Sequence, residues 1–206
     1  GKAEAVVRGT TFGLETFRRN WETVTYLAGM KYAPQYSIPD VDIDVVGLFV
    51  DGSHAVRPNL TLAWGGRADH VRTAADPAKA NLALYSAYKG SRTTQRTDVL
   101  PSGKVRATWQ PHPAIEIAGG VGHVARVAEA NERFFALKRM GTDWVGNPDL
   151  DPSRNTGADL SVSARRSRAS VSASVFVQDV RDYIAVHNQP RVATVAGVLN
   201  VRARSY

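Results

Sequence analysis

The chain has 206 residues, no cysteine, a hydrophobic share of 43% and a formal net charge of +7, with a pI of about 9.9. Without cysteine there is no disulfide framework and no thiolate metal site, and no apolar run approaches the roughly 18 residues of a membrane-spanning helix. The arginines do not cluster apart from one dense patch, "ARRSRAS", and no aromatic stacking platform accompanies the charge, which argues against nucleic acid as the partner.

In chain order, the first predicted element is a strand near "AEAVVRGTTFGL", preceded by no secretory-signal layout in "GKAEAVV". A long, charged and aromatic connection over residues 15–40 is expected next. The hairpin that follows joins "VDIDVVGLFVDGSHAV" to "LTLAWGGRADHV", where Leu60, Leu62 and Trp64 oppose Thr61, Arg67 and Asp69. A second long connection covers roughly 72–95. In "SGKVRATWQP", Val105, Ala107 and Trp109 share one parity and Lys104, Arg106 and Thr108 the other, and "HPAIEIAGGVGHVAR" returns after a short turn. Residues 127–155 form a third long connection, in which "EANERFFALKRM" is expected to make one or two turns of amphipathic helix with Phe134, Phe135 and Leu137 together. Its end, "GTDWVGNPDLDPSRN", is read as loop throughout. The last hairpin pairs "TGADLSVSARR" with "VSASVFVQDVRDYIAV"; a connection at about 188–196 leads to a closing strand in "GVLNVRARSY".

About eight strands near ten residues each, with short turns and long loops alternating, predict an antiparallel up-and-down barrel with the long loops on one rim. Alternation by itself does not say which face is wet. Small and medium residues on the apolar parity would pack a closed core poorly, and Arg, Asp and Lys on the other parity call for a watery lumen. Trp109, at a strand end, suits an interfacial aromatic belt. The fold class expected is therefore all-β, a transmembrane β-barrel segment.

Four motifs then carry a resemblance. "NERFFALKRMGTDWVGNPDLDPSRNTGADL" resembles the "ERF" to "GNPDLxPxxN" region of TonB-dependent outer-membrane receptors, "LTLAWGGRADHV" their "LTLxxGxRxDH" strand, "SGKVRATWQPHPAIEIAGGVGHVAR" their "TWQPxP" hairpin, and "VFVQDVRDYI" the strand ending in "DYI". The four occur in family order over roughly residues 41–187. The resemblance implies a 22-stranded barrel in the bacterial outer membrane, filled by a plug domain and driven through TonB, that imports a scarce metal ion or metal chelate. It implies no enzyme. It further implies lipid and lipopolysaccharide as surroundings and the TonB system as a partner. The whole of residues 1–206 is expected to be a partial barrel domain, its plug and remaining strands belonging to a longer receptor. A self-contained eight-stranded outer-membrane barrel with a structural or adhesive role remains the alternative, supported by the strand count and the terminal aromatic Tyr206. A soluble binder with the apolar parity turned inward is the third reading.

"GLETFRRNWETVTYLAGM", "SIPDV" and "ALKRMGTDWVGNPDLDPSRNT" look most like the copper-associated receptors of the family. That likeness makes Met30 and Met140, in predicted extracellular loops, candidate metal ligands, since thioethers suit Cu(I). Met30, His123, Met140 and Trp144 are the candidate ligand-contacting residues. His123 is placed at either the lumen or the rim. Arg67 and Asp69, two residues apart on one strand and so on one face, are expected to form a lumen ion pair or to contact the plug. No resident cofactor and no catalytic residue is proposed, because no Ser, His and acid arrangement has an activating context.

Overall fold

The alternating segments form a single antiparallel meander. The computed structural model describes residues 1–26, 34–138, 141–192 and 200–205. Its strands are β1 (Lys2–Val7), β2 (Thr10–Thr25), β3 (Gln35–Arg57), β4 (Leu60–Ala75), β5 (Gln95–His112), β6 (Ile115–Arg126), β7 (Ala136–Leu137), β8 (Gly141–Val145), β9 (Ser153–Arg166), β10 (Ala169–Arg181), β11 (His187–Pro190) and β12 (Asn200–Ser205). Two helices, α1 (Leu82–Lys89) and α2 (Ala130–Phe134), lie in the connections. Eight strands pair in the order β1-β2-β3-β4-β5-β6-β9-β10, and β11-β12-β8-β7 make a smaller sheet. The large sheet is open: β1 and β10 end it without pairing to each other.

Several sequence expectations change. The first strand is in fact the hairpin β1-β2, closed by Arg8 (φ 50°) and Gly9 (φ 79°), the two left-handed positions a tight hairpin turn needs. Residues 15–25 and 35–40 are strand rather than loop. They leave the apolar band but keep pairing, with Arg18 opposite Asp44 and Asn20 opposite Asp42, so the hydrophobic alternation stops while the ladder continues. The strands of the large sheet are accordingly mostly longer than ten residues; β3 alone has 23. β10 stops at Arg181 because Asp182 takes φ 52°, outside the strand region. Gly141–Val145 is a strand, and the closing segment β12 runs parallel to it instead of joining the large sheet. Alternation in "NVRARS" identifies a strand but not its partner.

Register shows which side chains share a face. Leu14, Leu48 and Ala68 are in line, as are Trp64, Val105, Val121, Ala158 and Val177. With Leu160, Val162, Val171 and Val175 they form a continuous exposed apolar outer face. The opposite face holds Glu15, Asp51, Arg67, Asp69, Lys104, Arg106 and Asp159. Apolar outside and charged inside is the pattern of a barrel wall in lipid. No helix among the described residues is long and apolar enough to cross a membrane.

Above that band the faces exchange roles. In β3, Val46, Leu48 and Val50 point outward, whereas Val41 and Ile43 point inward and are buried, with Asp42 and Asp44 outside. The inward residues, with Val71 and Leu100 of the neighbouring strands, pack against Leu84 and Tyr85 of α1, Ala130 and Phe134 of α2, and Val145 of β8. The long connections thus fold inward as a cap whose core is the molecule's main cluster of buried apolar side chains.

Candidate functional site

The cap is built from the connections upward. α1 is started by Asn81, whose side-chain oxygen accepts from Leu84 N–H at 3.0 Å, and is ended by Gly90 in the left-handed conformation (φ 69°), its N–H bonded to the Ser86 carbonyl. Burial of Tyr85 brings its hydroxyl to the Phe134 carbonyl and its ring edge-on to the Phe134 ring at 6.4 Å. Tyr88 donates to Asp143 on β8 at 2.8 Å, and burial together with that bond pushes its hydroxyl up to about 12.

The motif "ERFF…GNPDLDP" has a mechanical meaning here. Asn147 N–H donates to the Glu132 carbonyl at 2.9 Å, and Gly146 N–H donates to the Phe135 carbonyl at 2.6 Å. A Cβ on Gly146 would meet the Arg133 carbonyl oxygen at 2.5 Å, so only glycine admits the approach. Arg133, fully buried, donates to Asp98 of β5 at 2.6 Å and to the Leu150 carbonyl at 3.1 Å. Burial pulls its guanidinium down, and Asp98 counteracts this. Arg96 grips the Asp149 carbonyl at 2.6 Å and the Asp151 carboxylate from the other side. The N-terminal side of α2 is tied to β2 by the Arg19–Glu129 ion pair. The family motif is therefore the clasp that fixes the cap to the sheet.

Below the cap the inner face of the curled sheet lines an open groove of about 650 Å³, walled by Lys2, Glu15, Phe49, Asp51, Arg67 and Lys104 among others. Arg67 bridges Asp69 at 2.6 Å and Glu15 at 2.7 Å, which places the anticipated lumen ion pair and adds a third member. Arg106 pairs with Asp159 at 2.8 Å. The Phe49 ring lies over Gly13, where a Cβ would come within 2.1 Å of it, and faces the cations of Lys2 (5.3 Å) and Arg67 (5.9 Å). This wall offers charged and aromatic contacts to whatever occupies the lumen.

Of the anticipated contact residues, Met30 and Met140 lie outside the described residues. Trp144 sits half-buried in the cap, its ring 6.1 Å from that of Phe135. His123 lies on the outer face at the rim, its Nδ1 within 2.7 Å of Thr156 Oγ1, and so points away from the cap that holds Trp144. Gln35, which the sequence reading missed, does more: its side chain accepts from the Lys138 N–H at 2.9 Å and donates to the Lys138 carbonyl at 2.7 Å. That pair of hydrogen bonds joins the start of β3, five residues after Met30 in sequence, to the residue two before Met140. Only the polar side chain at the head of a strand hinted at it. Among the described residues no three His, Asp or Glu side chains converge as a metal site.

The sequence matches the family described as "TonB dependent receptor-like, beta-barrel" over residues 3–206. A search of curated protein sequences finds no match. Among solved structures, the copper transporter OprC aligns at a TM-score of 0.69 and 17% identity, covering 99% of this chain and 31% of OprC. The Serratia marcescens hemophore receptor HasR, solved as a double mutant with its hemophore HasA and heme, aligns at 0.62 and 17%, covering 98% and 35%. The FrpB iron transporter from Neisseria meningitidis aligns at 0.56 and 13%, covering 98% and 29%. The chain thus spans about a third of the length of the structures it resembles.

Proposed function

We propose, from the premise that this chain belongs to the TonB-dependent receptor β-barrel family of the outer membrane, that it forms part of a receptor that binds a metal ion, copper foremost, and imports it. In this reading the chain is a transporter part and not an enzyme. The rest of the barrel pairs with the open edges of β1 and β10, a plug fills the lumen, and TonB supplies the energy. Open edges count against a self-contained eight-stranded barrel, because two unpaired strands in lipid leave backbone groups unsatisfied.

The observation that carries the copper assignment is the pair of hydrogen bonds between Gln35 and Lys138. It joins Lys138, two residues before Met140 in sequence, to Gln35, five residues after Met30, and in this reading the two thioethers serve one ion on the capped rim. Two thioethers form a soft ligand pair, suited to Cu(I). Support also comes from the likeness in fold to a copper transporter. Trp144 in the cap would shield the site, and the remaining ligands would come from the plug.

The test is Cu(I) binding by the complete receptor with Met30→Ala, Met140→Ala and both. A drop of about tenfold or more for either variant is expected. Unchanged affinity in the double variant would remove copper from the loops and favour a metal chelate, recognised through shape and charge.

A further inference from the structure

The lipid-facing side of β6, β9 and β10 carries a feature that ligand capture does not use. We propose that Arg154 and Arg181, with Thr156 and His123 beside them, form a binding site for the phosphate groups of an anionic glycolipid of the outer leaflet. The inference rests on the outer-membrane reading above and not on the identity of the imported metal.

Position comes first. Along β9 the outer face runs Arg154, Thr156, Ala158, Leu160, Val162, Ala164, Arg166. Thr156 to Arg166 advances about 33 Å at ~3.3 Å per residue, which a strand tilt of about 40° turns into the ~25 Å of an apolar barrel band. Arg154 therefore stands one step beyond the hydrocarbon, at the level of the headgroups. Its cross-strand partner on β10 is Arg181.

Charge comes second. Like charges directly opposite on two strands repel. Arg181 is balanced by Asp179 at 2.8 Å, but among the described residues no carboxylate or hydrogen-bond acceptor is paired with Arg154. An exposed arginine pair holding one carboxylate keeps an excess positive charge at a level where the available anions are lipid phosphates.

Shape comes third. Pro101, His123, Arg154, Thr156, Asp179 and Arg181 line a groove of about 510 Å³, room for a phosphorylated sugar rather than a lone ion. Immediately below it lie Ala158 and Val177, then Leu160 and Val175, all apolar, with Val177, Leu160 and Val175 exposed and Ala158 half-buried. A ligand with a phosphate above and acyl chains below fits that sequence of surfaces; free phosphate uses only the upper half.

The complete receptor, purified in detergent, is to be titrated with lipid A, with dephosphorylated lipid A and with inorganic phosphate, binding being read by native mass spectrometry. Each single change, Arg154→Ala or Arg181→Ala, is expected to weaken lipid A about fivefold, and the pair about thirtyfold. Arg165→Ala, on the inner face, should leave binding unchanged; dephosphorylated lipid A should bind wild type and double variant equally weakly. Heat-dependent gel mobility confirms that each variant is folded. Lipid A binding within twofold of wild type in the double variant would overturn the site, as would displacement of lipid A by millimolar phosphate, which would mark a free-anion site. Loss of copper binding with lipid A binding intact would leave this site standing and remove the metal assignment alone. A wild-type receptor that fails to reach the outer membrane would remove both.

Discussion

The lower and upper halves of the same strands solve opposite problems. Below about Val46 on β3, outward side chains are apolar and inward ones charged; above it, inward Val41 and Ile43 are buried beneath the cap and outward Asp42 and Asp44 are charged. Lipid outside and water inside explains the first arrangement. Water outside and a packed loop core inside explains the second, which is the arrangement of an ordinary soluble sheet. One sheet therefore crosses a solvent boundary without a break in its hydrogen bonding, and the adjacent Val45 and Val46, one on each face, mark where the polarity reverses.

The contrast predicts different responses to the same class of mutation. The largest effect is expected from Arg133→Ala in the cap: it removes the closer of the two cations on the buried Asp98 carboxylate, leaving Arg96 at 3.2 Å, and should cost about 3–5 kcal/mol. Protease cleavage should appear in residues 127–152 while the membrane-embedded hairpins stay protected. Phe134→Ala, also buried, should cost about 3–5 kcal/mol in the same region, read by the loss of amide protection around α1 and α2. In the band, Leu160→Arg faces lipid and should cost about 2–4 kcal/mol near the midplane. Its neighbour Ser161→Arg faces the lumen and should be nearly neutral when both are compared by urea unfolding in vesicles. Gly146→Ala forces the Arg133 carbonyl aside and should cost about 1–3 kcal/mol, again confined to the cap. Smallest is Asn81→Ala, which removes the α1 cap and should cost about 1 kcal/mol, seen as fraying of that helix in hydrogen exchange.

The same contrast explains what the sequence made legible. Within the band, lipid imposes one hydrophobicity on every outward residue, so period-two alternation shows three of the four hairpins and their turns, the short β1-β2 hairpin excepted, and the Arg, Asp and Lys on one parity show the wet face. Arg67 and Asp69 could be placed together for that reason. Above the band no single solvent imposes a pattern. Residues 15–25 look like loop because Arg18, Asn20 and their partners are polar, yet they pair as strand. The cap depends on contacts far apart in the chain: Gln35 with Lys138, Tyr88 with Asp143, Arg133 with Asp98. Periodicity carries no trace of such contacts. A signal was nevertheless present in "VDIDVVGLFV", where the apolar parity shifts by one residue at Val45 and Val46. A parity shift in the middle of a strand is what a change of solvent predicts.

The absence of cysteine from the chain permits the most direct test of that boundary. Single cysteines at Val41, Asp42, Asp44, Leu48, Phe49 and Val50 of β3 can be labelled in outer membranes with a water-soluble maleimide, and the attached fluorophores tested with a lipid-confined quencher. The account predicts aqueous labelling at Asp42→Cys and Asp44→Cys, lipid quenching at Leu48→Cys and Val50→Cys but not at Phe49→Cys, and protection from both reagents at Val41→Cys. Lipid quenching at Asp42→Cys, or aqueous labelling of Leu48→Cys as fast as Asp42→Cys, would contradict it.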